Sequence, residues 1–282
     1  MNAKSLNEQA KRLWGASRFP FGEGAQSACR SEPFTAQLET LQHWLSLHNS
    51  GFIHGNNGVG KSYLVGALLE DLNEKAYFPL LNTHSTLRGP GLIRILTRQL
   101  GSEPTMRRED NIALIHQRLQ EQYPRWPVLV FDESQNLSAE ALEEIRLLNC
   151  HQKAGRNSFS TLFVGDQNLM PRLLLGVNQP LLSRMSFSLE VRPFEPDQSR
   201  HYIEHRLEES MIHSNPFEEP AINALIESAN GNARLINTLA RDALQRACKE
   251  NENTVTQAQM QQVIESIPWL KSLRPSSHLS GG

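Results

Sequence analysis

Cysteine is scarce: the chain has three in 282 residues, Cys29, Cys150 and Cys248, far apart and in no CxxC spacing. An odd, dispersed set excludes a disulfide scaffold and a zinc ribbon. Long apolar runs are missing too. The best stretches are Val128–Phe131 and Leu173–Leu175, against the roughly 18 consecutive residues that a membrane helix needs. The N-terminal MNAKSLNEQAKRLWG is polar and lacks the apolar centre of a signal peptide, so a cytoplasmic location is expected. An excess of one charge is absent as well. Lys and Arg total 28 against 30 Asp and Glu, a formal net charge of −2 that excludes a bulk polycation but not a local basic patch. What remains is ordinary globular composition, 39% hydrophobic and 21% charged, in a length that suits one large domain or two modest ones.

No internal repeat or low-complexity block interrupts the chain. Residues 1–34 read as an irregular extension punctuated by SRFPFGEG, which would bind either an adenine, with Phe19 and Phe21 as candidates, or a partner. From Thr35 onward, helical periods alternate with short apolar runs. Helices are expected over Thr35–His48, Ser62–Asn73, Pro90–Leu100, Ile112–Tyr123 and Ala139–Leu148. Strands are expected at Gly51–His54, Ala76–Leu81, Val128–Phe131, Ser160–Val164 and Phe187–Val191. Strands separated by helices of this length imply right-handed crossovers and a parallel sheet with helices on both faces. After Pro193 only helical segments follow. The organisation expected is therefore an α/β nucleotide-binding domain over 35–194, an all-helical lid over 195–270 and a disordered tail over 271–282.

The strongest motif is Gly55-Asn56-Asn57-Gly58-Val59-Gly60-Lys61-Ser62, a full match to the phosphate-binding loop G-x-x-x-x-G-K-[ST]. Its glycines let backbone N–H groups curl around phosphate oxygens, and the helix that follows presents its positive end to them. Lys61 would neutralise the β- and γ-phosphates, Ser62 would offer its hydroxyl to Mg²⁺, and Tyr63 completes the segment. A short apolar strand before the loop and an amphipathic helix after it provide the right setting. The second motif is Val128-Leu129-Val130-Phe131-Asp132-Glu133, which puts two carboxylates at the C-terminal tip of a buried strand, where parallel sheets bind ligands. Asp132 would hold the Mg²⁺ shell, and Glu133 would take the proton of the water that attacks the γ-phosphate. Coming about 70 residues after the loop, with strand–helix units between, the pair points to ATP hydrolysis.

Weaker candidates surround these two. Asp166, after the strand TLFVG, would either stand between Glu133 and the γ-phosphate or simply form a turn. Arg184 in Leu181-Leu182-Ser183-Arg184-Met185 would reach a neighbouring subunit's nucleotide as an arginine finger, with Arg192 as its rival and a plain surface role as the alternative. Arg234, in Gly231-Asn232-Ala233-Arg234, would project from the first turn of a helix toward phosphates or pair with an acid. Residues 88–108 hold five arginines, Arg88, Arg94, Arg98, Arg107 and Arg108, against the single acid Glu103. They would contact DNA phosphates without reading bases, or form a solvated helix face.

Together GNNGVGKS, VLVFDESQNLS, TLFVGDQNL, LLSRM, YIEHRLEES and GNARLINTLARDAL resemble AAA+ ATPases of the general secretion pathway protein A (ExeA-like) type and the related TniB/TnsC-type transposition helpers. The resemblance runs over roughly residues 15–267. It implies a Walker A loop at Gly55–Ser62, a Walker B pair at Asp132 and Glu133, sensor 1 at Asp166, an arginine finger at Arg184 and sensor 2 at Arg234. It also implies a helical lid and assembly into a homo-oligomeric ring or filament with nucleotide. The chain departs from the pattern at Asn56, Asn57 and Ser62 in the loop. It departs again at the anionic Asp166, where Gln or Asn is frequent and where a carboxylate facing a γ-phosphate is unfavourable without Mg²⁺ or an arginine nearby. Gln167 and Asn168 are neutral polar neighbours that would serve instead. With no membrane span in its 282 residues, the chain looks more like a transposition helper that binds duplex DNA with ATP and recruits or activates a transposase. A secretion or envelope-assembly ATPase and a nucleotide switch with little turnover are the other readings.

Overall fold

The computed structural model describes residues 3–22, 29–83, 86, 88–150, 158–268 and 270. The chain forms two compact units, one of residues 32–192 and one that joins residues 1–31 to residues 193–282. In chain order the elements are α1 (Ala3–Trp14), α2 (Glu32–Ser46), β1 (Gly51–His54), α3 (Lys61–Asp71), β2 (Tyr77–Asn82), α4 (Gly89–Gln99), α5 (Arg108–Gln120) and β3 (Trp126–Phe131). Then come a 3-10 turn (Ser134–Asn136), α6 (Ala139–Cys150), β4 (Ser160–Gly165), α7 (Leu169–Leu173), α8 (Gln179–Leu182) and β5 (Phe187–Glu190). The helices α9 (Pro196–Glu208), α10 (Glu219–Ala229), α11 (Ala233–Glu250) and α12 (Gln257–Glu265) complete the described chain.

Residues 32–192 build a five-stranded, all-parallel sheet in the order β2-β3-β4-β1-β5. Alternation along its central strands explains the apolar runs Val128–Phe131 of β3 and Leu162–Val164 of β4. Val128 and Val130 of β3 and Leu162 and Val164 of β4 pack with α2 and α3 on one face. Leu129, Phe131 and Phe163 pack with α4, α5 and α6 on the other. Successive side chains of a strand point to opposite faces, so a sheet covered on both sides needs apolar residues at every position. The outermost strand β2 is only partly buried and contains Pro79, which an edge strand tolerates because one row of its N–H groups has no ladder to join. Helices α7 and α8, of five and four residues, are too short to leave a periodic signature in sequence.

The second unit is all helical. Ile236, Leu239, Ala243 and Leu244 of α11 form the centre of its core with Ile203 of α9, Leu225 of α10 and Val263 of α12. Residues 3–22 differ from the irregular extension expected of 1–34, because α1 is a helix and belongs to this core. Ala10 is fully buried, the Trp14 indole Nε1 donates to the Asn253 carbonyl at 2.8 Å, and the Ser17 N–H donates to the Ser210 carbonyl at 2.9 Å. The partners lie almost the length of the chain away, so local sequence carried no sign of them. Phe21, with φ of +54°, is also a core side chain of this unit. The expected tail over 271–282 lies outside the described residues.

Candidate nucleotide-binding site

Strand β1 ends at His54, and residues 55–60 form the loop that leads into α3. Gly55 is forced by a close approach. A Cβ there would lie 2.1 Å from the Val191 carbonyl oxygen, at a φ of +153°. Gly55→Ala should therefore destabilise the fold by about 3 kcal/mol through overpacking and backbone strain. That corresponds to a melting temperature lower by about 6–12 °C, and an unchanged melt would contradict the close approach. At the far end of the loop Gly60, at φ +103°, turns the chain into α3. Val59 between them is buried in the core and anchors the loop. Lys61 is only 8% exposed, and its Nζ donates to the carbonyls of Gly55 at 3.0 Å and Asn56 at 2.9 Å. A buried ammonium held at a helix N-terminus, among backbone amides, is an anion site by charge and by donor count.

The acid pair lies at the tip of β3. The Ser62 hydroxyl donates to Asp132 Oδ2 at 3.0 Å, and the Glu133 N–H donates to Asp132 Oδ1 at 2.9 Å. One hydroxyl and one carboxylate, both hard oxygen donors on one small locus, fit Mg²⁺, which keeps several waters and takes further oxygens from phosphates. Among the described residues no group of three or more His, Cys, Asp or Glu side chains forms a protein-only metal cage. Glu133 is exposed and sits in the left-handed region at φ +51° and ψ +37°. That conformation costs a residue with a Cβ about 1–2 kcal/mol, an expense typical of positions held for function. Its Oε2 accepts a hydrogen bond from Gln135 Nε2 at 2.7 Å.

The remaining candidates lie on separate elements. Asp166, at the end of β4, is 8% exposed, and both its oxygens are engaged by Asn168: Oδ1 accepts the Asn168 N–H at 2.8 Å and Oδ2 accepts Asn168 Nδ2 at 3.1 Å. This is a side-chain turn at the start of α7. Gln167 is exposed. Arg184 follows α8, and its guanidinium donates to the Pro180 carbonyl of its own turn. Arg192 pairs with Glu190 at 2.9 Å. In the helical unit, Arg234 occupies the first turn of α11, which Asn232 caps by accepting the Leu235 N–H at 3.1 Å. Arg234 is exposed, and among the described residues no acid pairs with it.

Of the five arginines between 88 and 108, Arg108 is committed to the fold. Its Nε and Nη2 donate to the two carboxylate oxygens of Glu144 at 2.6 and 2.7 Å, which raises its pKa further. Arg88, Arg98 and Arg107 are exposed and Arg94 is half-buried; Arg94 and Arg98 lie one helical turn apart on α4. None of these four has an acidic partner among the described residues. Two residues that the sequence did not single out belong to the site, Gln135 and Arg172. Arg172 of α7 donates to the main-chain carbonyls of both Gln135 and Leu137. The only sequence signal for Gln135 is a polar side chain two places after Glu133.

A five-stranded parallel sheet of this order, with a phosphate loop after β1 and an acid pair after β3, is the AAA+ P-loop fold, here followed by a helical region. A family model described as an AAA domain matches residues 43–173. Among solved structures the chain is similar to the ORC2 protein of Aeropyrum pernix in ADPNP and ADP complexes, at 17% identity and a TM-score of 0.68, over 90% of this chain and 72% of that one. It is similar to Drosophila ORC bound to DNA at 20% identity and a TM-score of 0.66, over 95% and 67%. The Thermotoga maritima RuvB Holliday junction branch migration motor is similar at 16% identity and a TM-score of 0.56, over 84% and 69%. No curated protein sequence matches. No described helix is long and apolar enough to cross a membrane.

Proposed function

We propose that this chain is an ATPase that assembles with copies of itself and binds duplex DNA in the assembled state, acting as a helper that recruits or activates a transposase. The observation that carries the ATPase reading is the Ser62–Asp132 hydrogen bond, which joins the phosphate loop to the acid pair across 70 residues of chain. Backbone amides of residues 55–62 bind the phosphates, and Lys61 offsets their charge. Ser62 and Asp132 would hold Mg²⁺, which would supply positive charge against the negative charge that develops during the reaction. Glu133 orients the attacking water and accepts its proton as the oxygen bonds to the γ-phosphorus and the β–γ bridge breaks to leave ADP. Arg184 of a neighbouring copy and Arg234 complete the charge stabilisation, and Asp166 shapes the β4 end of the site.

The DNA reading is supported by Arg88, Arg94, Arg98 and Arg107, cations without acidic partners among the described residues, and by the fold shared with an ORC solved on DNA and with RuvB. An assembly that repeats the patch once per subunit multiplies weak phosphate contacts, so a net charge of −2 is no obstacle. The deciding experiment is sedimentation and ATP turnover with and without duplex DNA over a range of salt. Assembly should require ATP, and DNA affinity should fall steeply with salt. Arg94→Ala and Arg98→Ala should each lower the salt slope by about one. DNA binding that ignores ATP, or a slope that neither variant alters, would remove the DNA role. A transposase that binds the ATP-loaded, DNA-bound assembly but not the nucleotide-free chain is the further outcome expected.

A further inference from the structure

Gln135 bridges the tips of β3 and β4. Its Nε2 donates to Glu133 Oε2 at 2.7 Å, and its Oε1 accepts the Asp166 N–H at 3.1 Å. The orientation of this amide is fixed by its partners, because a carboxylate only accepts and a backbone N–H only donates. The place it occupies is kept open by Gly165, where a Cβ would come within 2.9 Å of Gln135 Oε1. Arg172 clamps the main chain at the bridge and two residues beyond it, through the carbonyls of Gln135 and Leu137. The carbonyl of Arg172 in turn accepts Asn178 Nδ2 at 2.9 Å, so the clamp is continuous with the segment leading to α8. The Asp166 carboxylate, meanwhile, is turned onto Asn168. A polar link between Glu133 and the end of β4 is thus present, but it comes from the β3 side and is neutral.

We infer that Gln135 is the positioning residue for Glu133. Its amide holds the carboxylate at one place relative to the end of β4, the part that the sequence suggested for the Asp166 side chain. The chemistry favours this assignment. An anion at the end of β4 would repel both Glu133 and a γ-phosphate, whereas a neutral amide donates to the first without opposing the second. Among side chains of this length, Glu would offer no donor when ionised and Lys no acceptor, so neither reproduces both bonds. Through Arg172, the position of Glu133 is tied to α7 and to the chain that carries Arg184. Gln135 therefore acts on the reaction through Glu133 and touches neither nucleotide nor water itself.

The role rests on the reading of Glu133 as the proton acceptor, and the test separates the two. Turnover of ATP·Mg²⁺, affinity for a fluorescent ATP analogue and melting temperature are measured on the full chain and on Gln135→Leu, Gln135→Glu, Glu133→Gln and the double variant Glu133→Gln/Gln135→Leu. Gln135→Leu should lower kcat about 10-fold or more, with nucleotide affinity close to that of the parent and a melting temperature lower by a few degrees for the lost Asp166 N–H bond. In the Glu133→Gln background the same change should cost nothing further, because its route of action is already gone. Gln135→Glu, which offers no donor when ionised, should lose turnover as Gln135→Leu does. An equal loss in both backgrounds would make Gln135 a structural residue and overturn the inference. So would a fully active Gln135→Leu. A parent chain that does not hydrolyse ATP at all would overturn the reading of Glu133 and this role with it.

Discussion

Lys61→Ala should weaken nucleotide binding about 100-fold or more. Charge-assisted hydrogen bonds contribute about 1.5–3 kcal/mol each, so an ammonium that gives two of them to phosphate oxygens accounts for about 3 kcal/mol or more, roughly 100-fold in Kd. The effect is amplified here because Lys61 also ties the loop to itself through the Gly55 and Asn56 carbonyls. Without that tie the backbone amides that remain are less well aligned for phosphate. The clean measurement is the thermal shift. ATP·Mg²⁺ at about 100 times its Kd should stabilise the parent by about 2.7 kcal/mol, which is about 5–10 °C for a unit of this size. The variant should melt close to the nucleotide-free parent and should shift by no more than about 1–2 °C at the same ATP concentration. Equal shifts in both would mean that the nucleotide, if it binds, does so away from Gly55–Ser62.

The difference between what the sequence disclosed here and what it did not is one of range. The phosphate loop was legible because every demand on it is local: glycines where φ is positive or a carbonyl crowds in, a lysine and a serine at fixed offsets. Strands β3 and β4 were legible because burial on both faces makes Val128–Phe131 and Leu162–Val164 unbroken apolar runs. The acid pair followed from its place at the end of β3. What stayed hidden depends on partners distant in the chain. Arg108 looked like one of five equivalent cations until Glu144, 36 residues on, was found gripping it. Helix α1 looked like part of an irregular leader because the core it joins is built mainly from residues beyond Pro193. Asp166 and Gln135 are the subtler case. Both were visible as polar residues near the acid pair, but which of them faces Glu133 depends on a 3-10 turn of three residues and on a side-chain turn to Asn168. No periodicity encodes either.

Glu133→Gln carries the largest catalytic effect expected of any single change, and the structure makes it an unusually clean one. A glutamine at this position can still accept from Gln135 Nε2 through its carbonyl oxygen, and it bears the same cost at φ +51°, about 1–2 kcal/mol, as the glutamate does. Shape, strain and the local hydrogen bond are therefore retained, and only the basic charge is lost. Stability should stay within about 0.5 kcal/mol of the parent. Loss of general-base catalysis alone predicts a fall in kcat of about 10²–10⁴-fold. Nucleotide affinity should be unchanged, because Lys61, Ser62 and Asp132 are intact, so the variant should accumulate with ATP bound. If assembly depends on ATP, that state should sediment as a stable oligomer at ATP concentrations where the parent cycles between assembled and free forms. Single-turnover hydrolysis and sedimentation on the same sample test both halves. Turnover at the parent rate would move the proton acceptor to another group. Slow turnover without a longer-lived oligomer would separate hydrolysis from disassembly and leave assembly governed by nucleotide binding alone.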